Sequence, residues 1–257
     1  MKLVDVHCHL ESDEFRESLG AVLSDARRAG LVKLVTASIT PEQWPVSRAL
    51  ADRYPEVECA WGVHPWYIQR GDESRLDGLS AACEAGVVAI GEIGLDRKIE
   101  SPDFETQRRF FDAQLRMAIE LDLPAVIHCR GAFDDLATSF KRIGIPKRGG
   151  LIHSYSGSAE WIRPWLDKGI QVSFGGALTY RNSRKKREAL RLVYPDFLLL
   201  ETDSPDIPPV ERQGQANVPA NIVYNLQAAS EILERPKEEI AEHTTANAMR
   251  LFGWTAL

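Results

Sequence analysis

His7 and His9 stand two residues apart in the opening segment MKLVDVHCHL. Side chains alternate between the faces of a strand, so both imidazoles fall on one side and can share one metal ion. Cys8 between them points the other way and reads as a small buried hydrophobe, while Asp5 is expected on the histidines' face at a deeper level. His128, His153 and Asp203 each close a separate apolar run, and Glu92 directly follows another. Imidazole combined with carboxylate suits Zn, Mn, Fe or Co, with Mg at the more oxygen-rich position. A carboxylate such as Glu92 can bridge two such ions. A pair of divalent cations acidifies water and polarises a phosphoryl or carbonyl oxygen, so the chemistry expected here is hydrolysis. Asp203, a carboxylate on the reacting face, is the candidate base.

Other residues fall where a substrate would lie. His64 in WGVHPWY ends a strand run and is read as a substrate-binding group, whereas His243 reads as a surface or packing histidine. Glu201 precedes Asp203 by two positions and is read as a partner lying beneath the ligands. Charge developing on a phosphodiester needs additional cations, for which Arg130 and Arg181 are the candidates. Arg181 opens a basic stretch, with Arg184, Lys185, Lys186 and Arg187 following in GGALTYRNSRKKREALR. Tyr180 on one side, and Trp61, Trp66 and Tyr67 on another, are candidate surfaces for stacking a base.

These residues need a frame that gathers strand ends. Apolar, β-rich runs recur at Leu3 to His7, Leu31 to Ala37, Val57 to Trp61, Val87 to Ile90, Ala125 to His128, Leu151 to His153, Gln171 to Phe174 and Leu198 to Thr202,. Helical patterns lie between them. One runs from an N-cap and first position at Ser101 and Pro102, with Phe104, Phe111, Leu115, Ala118 and Ile119 on one face. Another opens at a Thr40, Pro41, Gln43 capping box and carries Trp44, Val46 and Leu50 toward a core. Strand starts separated by about 20 to 40 residues suit parallel βα units with right-handed crossovers. Eight of them predict an α/β fold, a single (β/α)8 TIM barrel over residues 1–257, with its active site at the carboxyl ends of the strands. Segments Pro219 to Leu233 and Pro236 to Phe252 would close the outer ring. An open doubly wound sheet is disfavoured because neither GxGxxG nor a P-loop follows the first strand.

VDVHCHL, WGVHPWY, AIGEIGLD, LPAVIHCR, GLIHSYSGS, GGALTY and LLLETDSPD, in this order, resemble the motif series of the TatD family of metal-dependent deoxyribonucleases, and in particular its less characterised bacterial members. NVPANIV and NAMRLFG extend the likeness almost to the end of the chain. The resemblance implies an amidohydrolase-like barrel in which His7, His9 and Asp203 bind one metal, His128 and His153 the other, and Glu92 bridges them. Three positions depart from the family pattern. Trp66 stands where many relatives have a second histidine, and Arg97 and Lys98 replace aromatic residues that often follow GLD.

Composition sets the outer limits. The 257 residues are 44% hydrophobic and 26% charged, which is globular and excludes a disordered or collagen-like chain,. A net charge of -6 excludes a histone-like binder, so nucleic acid must be met by a local basic patch,. The 4 cysteines, none in a CxxC pair, are expected to be reduced,. No secretory or membrane-spanning pattern is found, so a cytoplasmic monomer is expected. Its expected cofactors are two divalent metal ions, Zn, Mn or Mg. Its expected partner is DNA or another phosphodiester, held transiently, with hydrolysis proceeding as an exonuclease on single strands. The competing readings are an ester, lactone or amide hydrolase, including a deacylase of aminoacyl-tRNA, and a noncatalytic metal-binding scaffold. The scaffold is disfavoured because the ligands divide between two ions with open coordination positions, whereas structural sites are closed.

Overall fold

Branched and apolar runs form eight parallel strands in the computed structural model, which describes residues 1–84 and 86–257. They are β1 (Leu3–Cys8), β2 (Leu31–Ser38), β3 (Val57–Trp61), β4 (Ala89–Asp96), β5 (Ala125–Arg130), β6 (Gly150–Ile152), β7 (Ile170–Phe174) and β8 (Leu198–Leu200). Each pairs in parallel with the next in chain order. Backbone bonds from Asp203 N to the His7 carbonyl (3.0 Å) and from His9 N to the Ser204 carbonyl (2.8 Å) join the two end strands just beyond β8. The result is a (β/α)8 TIM barrel.

Around the strands lie α1 (Leu19–Arg28), α2 (Trp44–Arg53), α3 (Asp72–Cys83), α4 (Phe104–Glu120), α5 (Phe133–Ile143), α6 (Ile162–Leu166), α7 (Arg184–Val193), α8 (Ile222–Leu233) and α9 (Lys237–Phe252). The larger apolar cluster packs outward-facing strand residues such as Leu34, Ile90 and Ile127 with helix residues such as Phe110, Phe111, Leu136 and Trp165. A smaller cluster fills the barrel with Val4, Val6, Val35, Ala37, Ala60, Ala89, Val126, Leu151 and Leu199, and Ala248, Leu251 and Phe252 of α9 cap it from the N-terminal end. The small residues on β2, β3 and β4 leave room for the branched side chains opposite.

Several expectations are corrected here. β4 begins two residues later than predicted and runs on to Asp96, because its second half carries buried polar groups that interrupt the apolar pattern. The α4 N-cap is Asp103, whose side chain accepts the Thr106 amide; the chain through Ser101 and Pro102 precedes the helix. Gln43 reaches back to the Ile39 amide while Thr40 makes no side-chain cap, and Val46, 47% exposed, faces solvent. Asp5 alternates with the interior Val4 and Val6 and turns outward, where it accepts the Thr202 amide (2.9 Å) and hydroxyl (2.5 Å). A register shift between Asp5 and Cys8 then returns His7 to the interior,. Cys8, Cys59 and Cys129 are buried free thiols, and the side chain of Cys83 lies outside the described residues. Among the described residues no helix is long and apolar enough to cross a membrane.

Candidate metal centre

Glu92 reaches the barrel axis through a second irregularity. The register between β4 and β5 shifts between Ile90 and Ile93, so Glu92 turns inward where strict alternation from inward Ala89 would point it out. Its two oxygens face different groups. Oε2 lies 3.3 Å from His7 Nε2 and 3.8 Å from His9 Nε2. Oε1 lies 2.8 Å from His153 Nε2, 3.3 Å from His128 Nδ1 and 3.2 Å from His64 Nε2. Asp203, at the seam, completes the first group, with Oδ1 at 3.5 Å from both His7 Nε2 and His9 Nε2.

The far nitrogen of a ring decides which atom is presented to the centre. His9 Nδ1 bonds the Ala37 carbonyl at 2.7 Å, which leaves Nε2 for the carboxylates. His128 Nε2 bonds Asp96 Oδ2 at 3.1 Å, which turns Nδ1 inward. The Trp66 amide donates to His64 Nδ1 at 3.1 Å, so in the neutral ring Nε2 carries the proton and donates to Glu92,. His7 Nδ1 and Nε2 and His153 Nδ1 are buried without hydrogen-bond partners.

Burial opposes charge throughout this centre, and neighbours decide the outcome. Burial raises Glu92 and Asp203, yet the surrounding imidazoles carry both far below the usual carboxylate range. Burial lowers His7, His9 and His128, but the carboxylates overcome it, raising His7 well above its ordinary value and His9 and His128 to about 9. His64, also buried, drops to about 4 and stays neutral. Two buried carboxylates that draw positive charge this strongly, beside unpartnered imidazole nitrogens, fit divalent cations. Three sets of side chains bring their ligand atoms within 4.8 Å of one another: His7, His153 and Asp203; His7, His9 and Glu92; and His64, Glu92 and His128.

The supporting residues were only partly foreseen. Glu201 lies beneath the centre, accepting the Ser154 amide at 2.7 Å and the Ser173 hydroxyl, with Oε1 at 3.9 Å from His153 Nδ1. Burial pushes its carboxyl up to about 8. Asp96 was not singled out from sequence, although the GLD motif contains it. It is fully buried and joins His128, the Trp66 indole N–H (2.6 Å) and the Lys98 amide (2.7 Å). Burial raises its pKa, but these hydrogen bonds hold it down at about 2. Asn217 of NVPAN donates to the carbonyls of Thr202 (2.8 Å) and Asp206 (2.9 Å) and so fixes the loop that carries Asp203. Asp203 itself holds φ at 58°, a left-handed conformation that a non-glycine residue keeps only under such constraint,.

A cavity of about 680 Å³ opens over the centre and is lined by His9, His64, Glu92, His128, His153 and Asp203, together with Arg130, Lys186, Trp66 and Tyr67. Arg130 reaches Asp96 at 3.8 Å. Arg181 is exposed and does not line this cavity. α7 begins only at Arg184, and it is Lys186 from its first turn that turns inward. Trp61 is buried, stacked on Trp44 and bonded to Ser47, so it belongs to the core. His243 packs against Tyr194.

The family described as TatD related DNase matches residues 4–253. The chain is 35% identical over 254 residues to the uncharacterized metal-dependent hydrolase YjjV of Escherichia coli strain K12, covering 98% of each. It is 32% identical over 251 residues to the uncharacterized metal-dependent hydrolase YabD of Bacillus subtilis strain 168, covering 97% of this chain and 98% of the relative. The crystal structure of YjjV, a TatD homolog, superimposes with a TM-score of 0.93 over 98% of both chains. The barrel, its inward histidines and carboxylates, and these likenesses together make the chain a metal-dependent hydrolase of the TatD family.

Proposed function

We propose that this chain is a two-metal phosphodiesterase that removes nucleotides from single-stranded DNA as an exonuclease. The observation that carries the reading is the division of Glu92: one oxygen faces His7 and His9, the other His128 and His153. On this reading His7, His9 and Asp203 hold one divalent cation, His128 and His153 the other, and Glu92 both. Zn and Mn suit this set of imidazoles and carboxylates, and Mg suits only its more oxygen-rich position, where Glu92 and Asp203 meet. When bound, such ions supply Lewis acidity toward the phosphoryl oxygens and make water more acidic.

The chain's own groups do the rest. Asp203 combines burial against the histidines with access to the cavity, so its carboxylate orients the attacking water and accepts its proton,. His64 lines the cavity and donates its Nε2–H to Glu92, which places the edge of its ring beside a bound substrate while it orients that carboxylate. Arg130 and Lys186 enter the cavity from different walls and offset charge on the phosphodiester,. Substrate engagement is transient, and the chain acts as a monomer in the cytoplasm.

The test is degradation of an end-labelled single-stranded oligonucleotide with Mg or Mn, beside an EDTA control and the Asp203→Asn variant. Metal-dependent release of nucleotides by the wild-type chain, lowered at least about 100-fold in Asp203→Asn with the fold retained by circular dichroism, is expected. A folded, metal-loaded protein that leaves DNA intact but hydrolyses an ester, lactone, amide or aminoacyl-tRNA would overturn the proposal in favour of carbonyl chemistry.

A further inference from the structure

Trp66 is both tied down and exposed. Its backbone amide is spent on His64 Nδ1 and its indole N–H on buried Asp96 Oδ2. The ring therefore cannot turn over without leaving a buried carboxylate short of a donor. It also meets His64 and His128 edge to face, at centroid distances of 5.3 and 5.7 Å. Yet 41% of the residue is exposed, as is 42% of Tyr67, whose ring lies 6.5 Å away at an interplanar angle of 51°. The other large exposed hydrophobics, Met1, Val46, Leu192 and Val210, do not line the cavity. Aromatic surface left in water beside the centre thus coincides with a ring already immobilised, which loses little entropy when something stacks on it.

We propose that Trp66 is the specificity-determining residue of this site, a fixed platform on which the unpaired base next to the scissile phosphate stacks. The proposal rests on the phosphodiesterase reading and names its substrate class. Arg130 lies on the same side, 3.8 Å from the carboxylate that anchors the indole. A planar apolar face next to a cation matches a nucleotide, with the base on the ring and the phosphate on the guanidinium. A base within a duplex has both faces covered by its neighbours and cannot use the platform without being unstacked. Preference for single strands follows from that geometry.

Two variants separate the ring from its hydrogen bond. Trp66→Phe and Trp66→Leu both delete the indole N–H that Asp96 accepts, but only Trp66→Leu deletes the aromatic face. The substrates are an end-labelled oligonucleotide with an intact terminal base and one with an abasic terminal residue. For the wild type, KM should rise about tenfold on the abasic substrate, in line with the loss of one stacked base. Trp66→Phe should keep most of that preference, and Trp66→Leu should treat the two substrates alike. On the abasic substrate kcat should fall equally in both variants, because both withdraw the same donor from Asp96. A wild-type preference for the intact base that survives in Trp66→Leu, or is lost in Trp66→Phe, would overturn the platform. Equal KM values for the wild type on both substrates would do the same. If the wild type cleaves neither substrate, the phosphodiesterase reading has failed, and the same proteins are tested for binding the two oligonucleotides by fluorescence anisotropy in EDTA. Base-dependent binding lost only in Trp66→Leu would then support the platform, and its absence would overturn it.

Discussion

A histidine whose far ring nitrogen is held by another group presents its near nitrogen to a metal in a fixed orientation. In this chain those second contacts are the Ala37 carbonyl for His9 and Asp96 for His128. Replacing Asp96 with Ala should free the His128 ring, and loss of such a supporting hydrogen bond is expected to weaken metal affinity by about 10 to 100-fold. Titration of the metal-depleted protein with Mn, with unfolding monitored in parallel, would measure this; unchanged affinity would mean that Asp96 does not position the ligand. The candidate ligands were legible in the sequence because His7 and His9 are neighbours and the others fall at the ends of apolar runs. Asp96 was not, since its partner His128 is thirty-two positions away and only the pairing of β4 with β5 brings them together. Arg181 and Lys186 illustrate a similar limit: a basic run indicates local charge, but the start of α7 decides which side chain enters the cavity.

The elements position these residues by departing from regularity in two places. β1 shifts register between Asp5 and Cys8, and β4 between Ile90 and Ile93. Alternation along a strand therefore identified the histidine pair but assigned Asp5 to the wrong face, because periodicity does not carry across a bulge. The close approach of β4 to β5 depends on glycine: a Cβ on Gly94 would lie 2.0 Å from the His128 carbonyl oxygen. Backbone must move to admit it, so Gly94→Ala should destabilise the fold by about 3 kcal/mol and displace His128. Urea unfolding would check the first effect and Mn affinity the second. At the helix ends, Asp103→Ala removes the α4 cap and should cost about 1 kcal/mol in the same unfolding measurement while leaving hydrolysis unchanged,. Eight strand runs and four of the helices, α2, α4, α8 and α9, were legible because apolar periodicity reports them directly. The second half of β4 was not, because function had filled it with glycine, glutamate and aspartate.

At the scale of the whole molecule, the barrel's two ends have different tasks. Ala248, Leu251 and Phe252 close the N-terminal end with apolar packing, while the opposite end keeps buried charge beneath an open cavity. Stability resides at the first and chemistry at the second. The chain carries a net charge of -6, so an anionic substrate depends on local cations such as Lys186, which makes no ion pair among the described residues. Lys186→Ala should raise KM for an oligonucleotide several-fold and flatten its salt dependence while changing kcat little, and an unchanged salt slope would place the substrate elsewhere. The proposed chemistry requires Glu92 to serve two ions at once. The most direct measurement is metal content per chain, by plasma mass spectrometry after equilibration with excess Mn and removal of the free ion, for the wild type and Glu92→Gln. About two ions are expected in the wild type, with both lost from a folded Glu92→Gln protein. A single ion in the wild type, or two retained by Glu92→Gln, would contradict the bridging role.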